Sequence, residues 1–369
     1  MVAIGPLSID MYLPALPEIT RALDTHAAAV QITLTACVVG IALGQLLAGP
    51  MSDRFGRRRP LVAGLTTYSA VSLLCALAPN VLALTGLRFV QGFAGGAGIV
   101  IGRAVVRDLY TGAAAAKLFS SLMLVTGLAP ILAPVLGAQV LRLTSWQGIF
   151  VTLSALGLAI VTLAAVTLPE TLKERNPGGT TLATMRHLLG RGSFRAYALT
   201  LGLSFGALFA YIAGSPFVLQ EVYGLSPEAF SFAFGANGLG LVIGSQVNAR
   251  LVTRYGPEWL LRRALWVIAA AATALLAVVI ADFGVWAVLV TTFAVMSSLS
   301  FVMPNATALA LAEHGHVAGT ASALLGVTQF LVGGLAAPLV GLGGTASAIP
   351  MAVVMLSLAA GALVVQRWR

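Results

Sequence analysis

Long apolar runs broken by short polar turns are the dominant pattern of this chain. A helix needs about 20 apolar residues to cross the hydrocarbon core of a bilayer. Turn and charge signals separate twelve such segments, at 1–17, 29–50, 60–79, 82–104, 119–141, 147–168, 196–219, 229–250, 259–280, 285–308, 318–342 and 347–366. Glycine and proline inside them are tolerated, because neighbouring helices re-satisfy the backbone groups they free. The pattern predicts an all-α membrane protein. The longest polar stretch, 169–195, divides it into six spans, 1–168, and six more, 196–369, and 182–190 within that stretch suits a short interfacial helix. Span 1 is irregular: Pro6, Pro14 and Pro17 interrupt it and few residues precede it, so the expectation is a start internal to a longer chain or a short, tilted first helix.

Composition agrees with this class. Hydrophobic residues make up 59% of the 369 residues and charged residues only 9%, which a soluble domain of this size cannot bury. A net charge of +9 would point to nucleic acid in a soluble protein. Here all but Arg21, Arg88 and Arg142 of the 21 lysines and arginines fall in alternate loops or at the C-terminus. That asymmetry sets orientation, with both termini in the cytoplasm. It leaves no basic surface interleaved with aromatics and predicts no nucleic-acid partner. Cys37 and Cys75 lie inside apolar segments and read as small buried hydrophobes. The first residues show neither a basic n-region nor a small-residue cleavage site.

The halves echo each other. Gly49-x-x-x-Asp53-Arg54 closes span 2, and Gly244-x-x-x-Asn248-Ala-Arg250 closes span 8. Ala133-Pro134-Val-Leu-Gly137 in span 5 matches Ala337-Pro338-Leu-Val-Gly341 in span 11. These echoes point to duplication of a six-span unit, the plan of many secondary transporters.

Candidate chemistry is sparse. Asp10 is the one carboxylate deep in a span, seven residues inside Pro17 or ~10 Å by helical rise. A charge there is expensive, which suits an acid that loads and releases a proton, or one that caps backbone freed by Pro14 and Pro17. Arg88 lies at a similar depth, ~9 Å into span 4. It either pairs with Asp10, so that substrate and proton compete for the same charge, or ties backbone carbonyls between helices. Tyr12, Gln91, Met123, Phe205, Phe209, Tyr211, Asn237, Asn305 and Gln329 are polar or adaptable residues within spans. They suit a cavity for amphipathic ligands, although each is also ordinary packing material. Gly127, Pro130, Pro134 and Gly137 allow span 5 to bend and to pack closely, against Gly240 and Gly244 of span 8 or simply as close packing. His314-Gly-His316 lacks a third ligand and reads as a solvated loop, so no metal is expected. No nucleophile–base pair for a membrane enzyme and no Walker-type phosphate loop is present.

Four stretches carry a resemblance. Gly49-x3-Asp53-Arg54-x-Gly56-Arg57-Arg58 resembles the loop 2–3 signature of the major facilitator superfamily. Arg88-Phe-Val-Gln91-Gly92 is similar to the family's span-4 motif, and Gly127-Leu-Ala-Pro130-Ile-Leu-Ala-Pro134-Val-Leu-Gly137 to the span-5 motif of its drug/proton antiporters. Ile9-Asp10-Met-Tyr-Leu-Pro14-Ala-Leu-Pro17 with Val106-Arg107-Asp108-Leu-Tyr110 resembles the bicyclomycin/chloramphenicol-resistance (Bcr/CflA-type) branch. The short start and Asn248 in place of an acid depart from the pattern. The resemblance implies the major facilitator fold, two six-helix bundles rocking around a central cavity. It implies a monomeric proton-coupled multidrug antiporter of the inner membrane, with drug-like small molecules, protons and the lipid bilayer as partners and no cofactor. It also implies a latch of Gly49, Asp53, Arg54, Gly56, Arg57 and Asp108, with Asp53 facing the start of span 11 and Arg57 reaching Asp108. The alternatives are a proton-coupled importer on the same fold and a polytopic membrane enzyme.

Overall fold

The computed structural model describes residues 3–109, 112–172, 182–312, 318–344 and 347–367; the side chains of 53, 103, 107, 112–127, 182–185, 318–320, 322, 323 and 367 are outside the described set. Every element among them is helical. The chain forms α1 (Ile4–Asp10), a 3₁₀ turn (Leu13–Ala15), α2 (Leu16–Ala22), α3 (Ala27–Phe55), α4 (Arg58–Ala76), α5 (Val81–Leu109), α6 (Gly112–Leu143) and α7 (Trp146–Thr167). It continues as α8 (Leu182–Gly190), α9 (Gly192–Phe217) with a π turn (Val218–Val222), α10 (Pro227–Tyr255), α11 (Pro257–Ile280), α12 (Gly284–Ala312), α13 (Ala318–Leu342) and α14 (Ile349–Arg367). Nine helices among the described residues are long and apolar enough to cross a membrane. The chain divides into two compact units, one of residues 1–25 and 32–179, the other of 26–31 and 180–369.

The irregular first segment, expected over 1–17, is interrupted and runs further than that. It breaks after Asp10, turns through Leu13–Ala15 and runs on to Ala22. Pro14 and Pro17 each fall in the first turn of a new segment, where the missing N–H is harmless. The extension matters because Glu18 then lies in α2, and its carboxylate accepts the Trp146 N–H at 3.0 Å. Ser145 makes no side-chain cap for α7, so Glu18 supplies the acceptor that an exposed helix start needs.

The polar turn after span 2 is also shorter than its charges suggest. Helix α3 runs through Pro50 to Phe55, a length of about 43 Å at 1.5 Å per residue, against a core of about 30 Å. Asp53 and Arg54 are therefore helical, and the reversal is made by Gly56 at φ +90°, a region that glycine enters without steric cost.

Packing within each unit relies on small residues. Lipid tails are as apolar as leucine, so helices gain by close approach rather than by leaving water. Gly40 and Gly44 on α3 face Gly92 and Gly96 on α5, each pair four residues apart. A Cβ on Gly92 would run into the Cys37 carbonyl, and one on Gly96 would sit 2.7 Å from the Ile41 carbonyl oxygen. In the second unit Gly240 and Gly244 lie against Phe293, Ser297 and Ser300 of α12. Gly137 of α6 meets the backbone of Met11. Gly137 of α6, and Gly240 and Gly244 of α10, thus each have packing partners within their own unit. Helix α6 continues through both Pro130 and Pro134. Outer faces stay apolar, with Leu82, Leu143, Val166 and Trp286 largely exposed, as helices bathed in lipid require.

Replacing Gly92 by alanine is expected to cost about 1–3 kcal/mol by overpacking the α3–α5 crossing. Gly86→Ala, which meets open space, is expected to change stability by less than about 0.5 kcal/mol. Thermal unfolding of the two variants in detergent checks the difference.

Candidate functional site

Arg88 sits wholly inside the first unit, with 0% of its surface exposed. Its Nη1 donates to Gln91 Oε1 at 2.6 Å, one helical turn on. Gln91 Nε2 donates to Ser72 Oγ at 2.7 Å, and Ser72 donates to the Tyr68 carbonyl at 2.7 Å. The guanidinium lies 4.6 Å from the Tyr12 ring centre and 5.7 Å from that of Phe150. Such faces partly offset the loss of hydration of a cation. Tyr12 is held by its hydroxyl contact to Thr33 at 2.9 Å and by Phe150 at 5.4 Å between ring centres. Ser8 donates to the Ile4 carbonyl at 2.6 Å, so the 2.6 Å contact between Ser8 and Tyr68 has the tyrosine as donor. Arg88 Nε and Nη2 have no acceptor among the described residues. A guanidinium with spare donors in this setting can take a carbonyl, carboxylate or phosphate oxygen.

Asp10 closes α1 and is 5% exposed. Among the described residues it makes neither a hydrogen bond nor an ion pair, so the expected Asp10–Arg88 pair is not formed, nor is the capping of proline-freed backbone. Arg88 in turn bonds a side-chain amide rather than backbone carbonyls.

The turn at Gly56 is a second assembly. Arg57 Nε donates to Asp108 Oδ2 at 2.9 Å, with side-chain exposures of 4% and 16%. Its Nη1 donates to Ser52 Oγ at 2.7 Å, and Ser52 donates to the Gly49 carbonyl at 2.8 Å. Thr171 Oγ1 donates to Asp108 Oδ2 at 3.3 Å. This water-poor pair is better protected than an exposed one, which is worth about 0–1 kcal/mol. Glu170 sits over the start of α4 and accepts the backbone N–H groups of Arg57 at 2.7 Å and Arg58 at 3.2 Å. Any side chain at Gly56 would strike that carboxylate. Partial burial pushes the Glu170 carboxyl up, but N–H donors from Arg57, Leu172, Arg58 and Thr171 together hold it below the usual glutamate range. Arg58 donates to the Ala165 carbonyl at 2.6 Å in the last turn of α7. Arg54 is exposed, its guanidinium 5.4 Å from the Phe55 ring. The side chain of Asp53 lies outside the described residues.

In the second unit Asn237 Nδ2 donates to the Tyr211 hydroxyl at 2.6 Å, and Tyr211 stacks on Phe234 at 5.5 Å. Phe205, Phe209 and Phe330 form an aromatic group, with Phe205 ring centres 5.1 and 5.6 Å from the other two. Asn305 donates to Asn248 Oδ1 at 2.7 Å and to the Phe301 carbonyl at 2.7 Å. Gln329 is half-buried, while Met123, Gly127 and the His314–His316 pair fall outside the described residues or side chains. The turn that matches Gly56 is Gly256 at φ +77°. It aligns Arg54-Phe55-Gly56 with Arg254-Tyr255-Gly256 and sets Thr253, not Asn248, opposite Asp53.

Sequence reasoning missed Tyr68, Ser72, Thr33 and Phe150 around Arg88, and Glu170 at the turn. Tyr68 and Ser72 were visible as polar residues four apart in an apolar span. Glu170 was visible as the acid that ends span 6, but nothing local aims it at Gly56.

Long apolar helices with lipid-facing surfaces and buried charge are the build of a multi-pass membrane protein. The Major Facilitator Superfamily profile matches residues 1–338, and the chain belongs to that family. It is 44% identical over 362 residues to an uncharacterized MFS-type transporter, YdgK, of Bacillus subtilis, covering 96% of this chain and 90% of that one. It is 33% identical to a bicyclomycin resistance protein homolog of Haemophilus influenzae, over 95% of this chain and 89% of that one. It is 31% identical to a chloramphenicol resistance protein of Pseudomonas aeruginosa, over 90% and 78%. These relatives put the chain in the bicyclomycin/chloramphenicol-resistance branch of the family. The fold matches a bacterial homolog of the human lysosomal transporter Spinster, with a TM-score of 0.79 at 14% identity over 99% of this chain and 94% of that one. It matches a D-xylose-proton symporter with a TM-score of 0.74 at 16% identity over 99% and 95%. The protein is therefore a multi-pass membrane transporter for small molecules.

Because the folded Glu170 carboxyl is held below its ordinary range, its contribution is present above the unfolded pKa and is lost as pH falls through the folded one. The protection of amides at the start of α4, taken relative to their intrinsic exchange rate at each pH, is expected to fall on acidification below the ordinary glutamate range in the native protein. In Glu170→Gln that protection is expected to be lower at neutral pH and insensitive to the acidification. Hydrogen-exchange mass spectrometry across the pH series measures both.

Proposed function

We propose that this transporter is a proton-coupled antiporter that exports amphipathic drug-like molecules across the inner membrane by alternating access. The observation that carries the reading is Asp10, buried and without a hydrogen bond or ion pair among the described residues. It lies in a chain whose relatives are named bicyclomycin and chloramphenicol resistance proteins. An unpaired acid in the membrane interior can be neutral in one state and ionised in another, which is what a proton carrier needs.

In this reading twelve spans form two six-helix bundles, 1–168 and 196–369, joined by a cytoplasmic linker at 169–195, with both termini in the cytoplasm. The broken first element, α4 and α6 add three crossings to the nine long apolar helices. Arg88 offers its free N–H groups to acceptor atoms of the substrate, and Tyr12 and Gln91 hold it in place. Tyr211, Asn237, Phe205, Phe209, Asn305, Gln329 and Met123 line the cavity, and aromatic and methionine surfaces tolerate varied ligands. The Arg57–Asp108 pair, with Gly49, Asp53, Arg54 and Gly56, latches one state of the cycle. Bending at Gly127, Pro130, Pro134 and Gly137 accompanies the change. The chain works as a monomer. Fold alone does not set direction, so export rests on the relatives' names.

Cells expressing the chain are expected to extrude chloramphenicol, bicyclomycin or a lipophilic cation dye, and a protonophore is expected to abolish the efflux. Asp10→Asn is expected to remove gradient-driven efflux while the protein still reaches the membrane; undiminished efflux in that variant sinks the proton-carrier role. Asp53→Asn is expected to slow turnover several-fold with substrate affinity in detergent nearly unchanged. A large affinity loss there contradicts the latch.

A further inference from the structure

The turn between α10 and α11 carries arginines that no described acid pairs. Gly256 reverses the chain at φ +77° and Pro257 starts α11. Around that reversal Arg254 lies 5.3 Å from the Tyr255 ring centre, and Tyr255 stacks on Trp259 at 4.8 Å with planes 20° apart. Arg263 lies 5.4 Å from the Trp259 ring centre. The result is a ladder of cation, ring, ring and cation. Tyr255 and Trp259 are 42% and 45% exposed, so the ladder is not part of the core. Arg250 and Arg262 are exposed beside it.

The equivalent turn at Gly56 shows what compensation looks like. There Arg57 is paired with Asp108, Arg58 with the Ala165 carbonyl, and Glu170 covers the helix start. At Gly256 neither Arg254 nor Arg263 forms an ion pair among the described residues. The acid of the turn, Glu258, has an interaction of its own. Stacked rings also hold both guanidinium groups in place before any ligand arrives, which reduces the ordering cost of binding.

The surface next to the ladder is apolar and outward-facing. On α11 Trp266 and Val267 are about half exposed, and on α10 so are Val247 and Ile243. Rings at the end of an exposed apolar face mark the membrane–water boundary, where lipid headgroups sit.

We propose that this ladder binds an anionic phospholipid. The headgroup lies along the ladder, with its phosphate at one of the two guanidinium groups, Arg254 or Arg263, and the other adding to the positive field, and the acyl chains run along the exposed faces of α10 and α11. Guanidinium forks match phosphate oxygens, and a juxtamembrane arginine near an anionic lipid surface contributes about a fivefold gain in binding. The interaction is independent of what the protein transports, and its test needs no transport activity.

Native mass spectrometry of the full chain in detergent, titrated with phosphatidylglycerol and with phosphatidylcholine of the same acyl chains, tests it. The wild type is expected to bind phosphatidylglycerol at least tenfold more tightly. The double variant R254Q/R263Q is expected to weaken that binding about 25-fold and to leave phosphatidylcholine binding unchanged. R254K/R263K keeps the charge but loses the fork, and is expected to fall between the two. Equal binding of the two lipids by the wild type, or undiminished preference in the glutamine variant, overturns the proposal. Inorganic phosphate at millimolar concentration is expected not to displace the lipid; full displacement would identify a soluble-phosphate site and overturn the lipid assignment. Unchanged melting temperatures establish that a loss of binding in either variant is not a loss of folding.

Discussion

Arg88 places a guanidinium group in the interior of the first unit. With 0% of its surface exposed, it has no water to turn to, and the surrounding helices are arranged to receive it. Span 4 supplies Gln91 one turn along, α4 supplies Ser72, and α7 supplies Phe150. The stretch after α1 supplies Tyr12, which Thr33 of α3 holds by its hydroxyl. The same helices must approach closely enough for these short side chains to reach. The glycine-on-glycine crossing of α3 and α5 provides that approach, because any Cβ there would push the backbones apart. Burying one charge thus constrains the small residues that surround it.

The two charged turns show different answers to one problem. Each follows a long helix and reverses through a glycine at positive φ, Gly56 in one unit and Gly256 in the other. At Gly56 the basic residues are drawn inward to Asp108 and to the Ala165 carbonyl, and Glu170 closes over the N-terminus of α4. This knits α3, α4, α5 and the end of α7 into one polar cluster. At Gly256 the arginines lie against aromatic faces on the outside. Sequence echo alone aligned the halves on Gly49 and Gly244. The turns realign them on Gly56 and Gly256, which turns Asn248 from a degraded signature position into half of a buried amide pair with Asn305.

Much of the architecture was legible in the chain because bilayer physics is one-dimensional. Span existence follows from run length. Boundaries were less legible at the ends: α3 outruns its apolar stretch to Phe55, and α9 begins at Gly192 rather than near 196. Helical hydrogen bonding continues past the hydrocarbon wherever no residue stops it. Span 1 was read as irregular but ending at Pro17, and its extension to Ala22 was not legible, because proline is as content to start a helical turn as to end one.

The candidate residues divide in the same way. That Asp10 and Arg88 are exceptional is evident from the sequence, since any ionisable group in an apolar run is. Their lack of direct pairing is not, because equal depth along two helices leaves the rotation of each helix undetermined. Arg57 and Asp108 meet as the signature suggested, yet Glu170, more than a hundred residues from Gly56, joins them only through folding. The sequence by itself determined the class, the long apolar helices, the charge asymmetry and the few ionisable side chains that lipid makes costly. The tertiary structure alone decided which of those side chains meet, since helix rotation and close approach depend on glycines and rings from distant segments acting together.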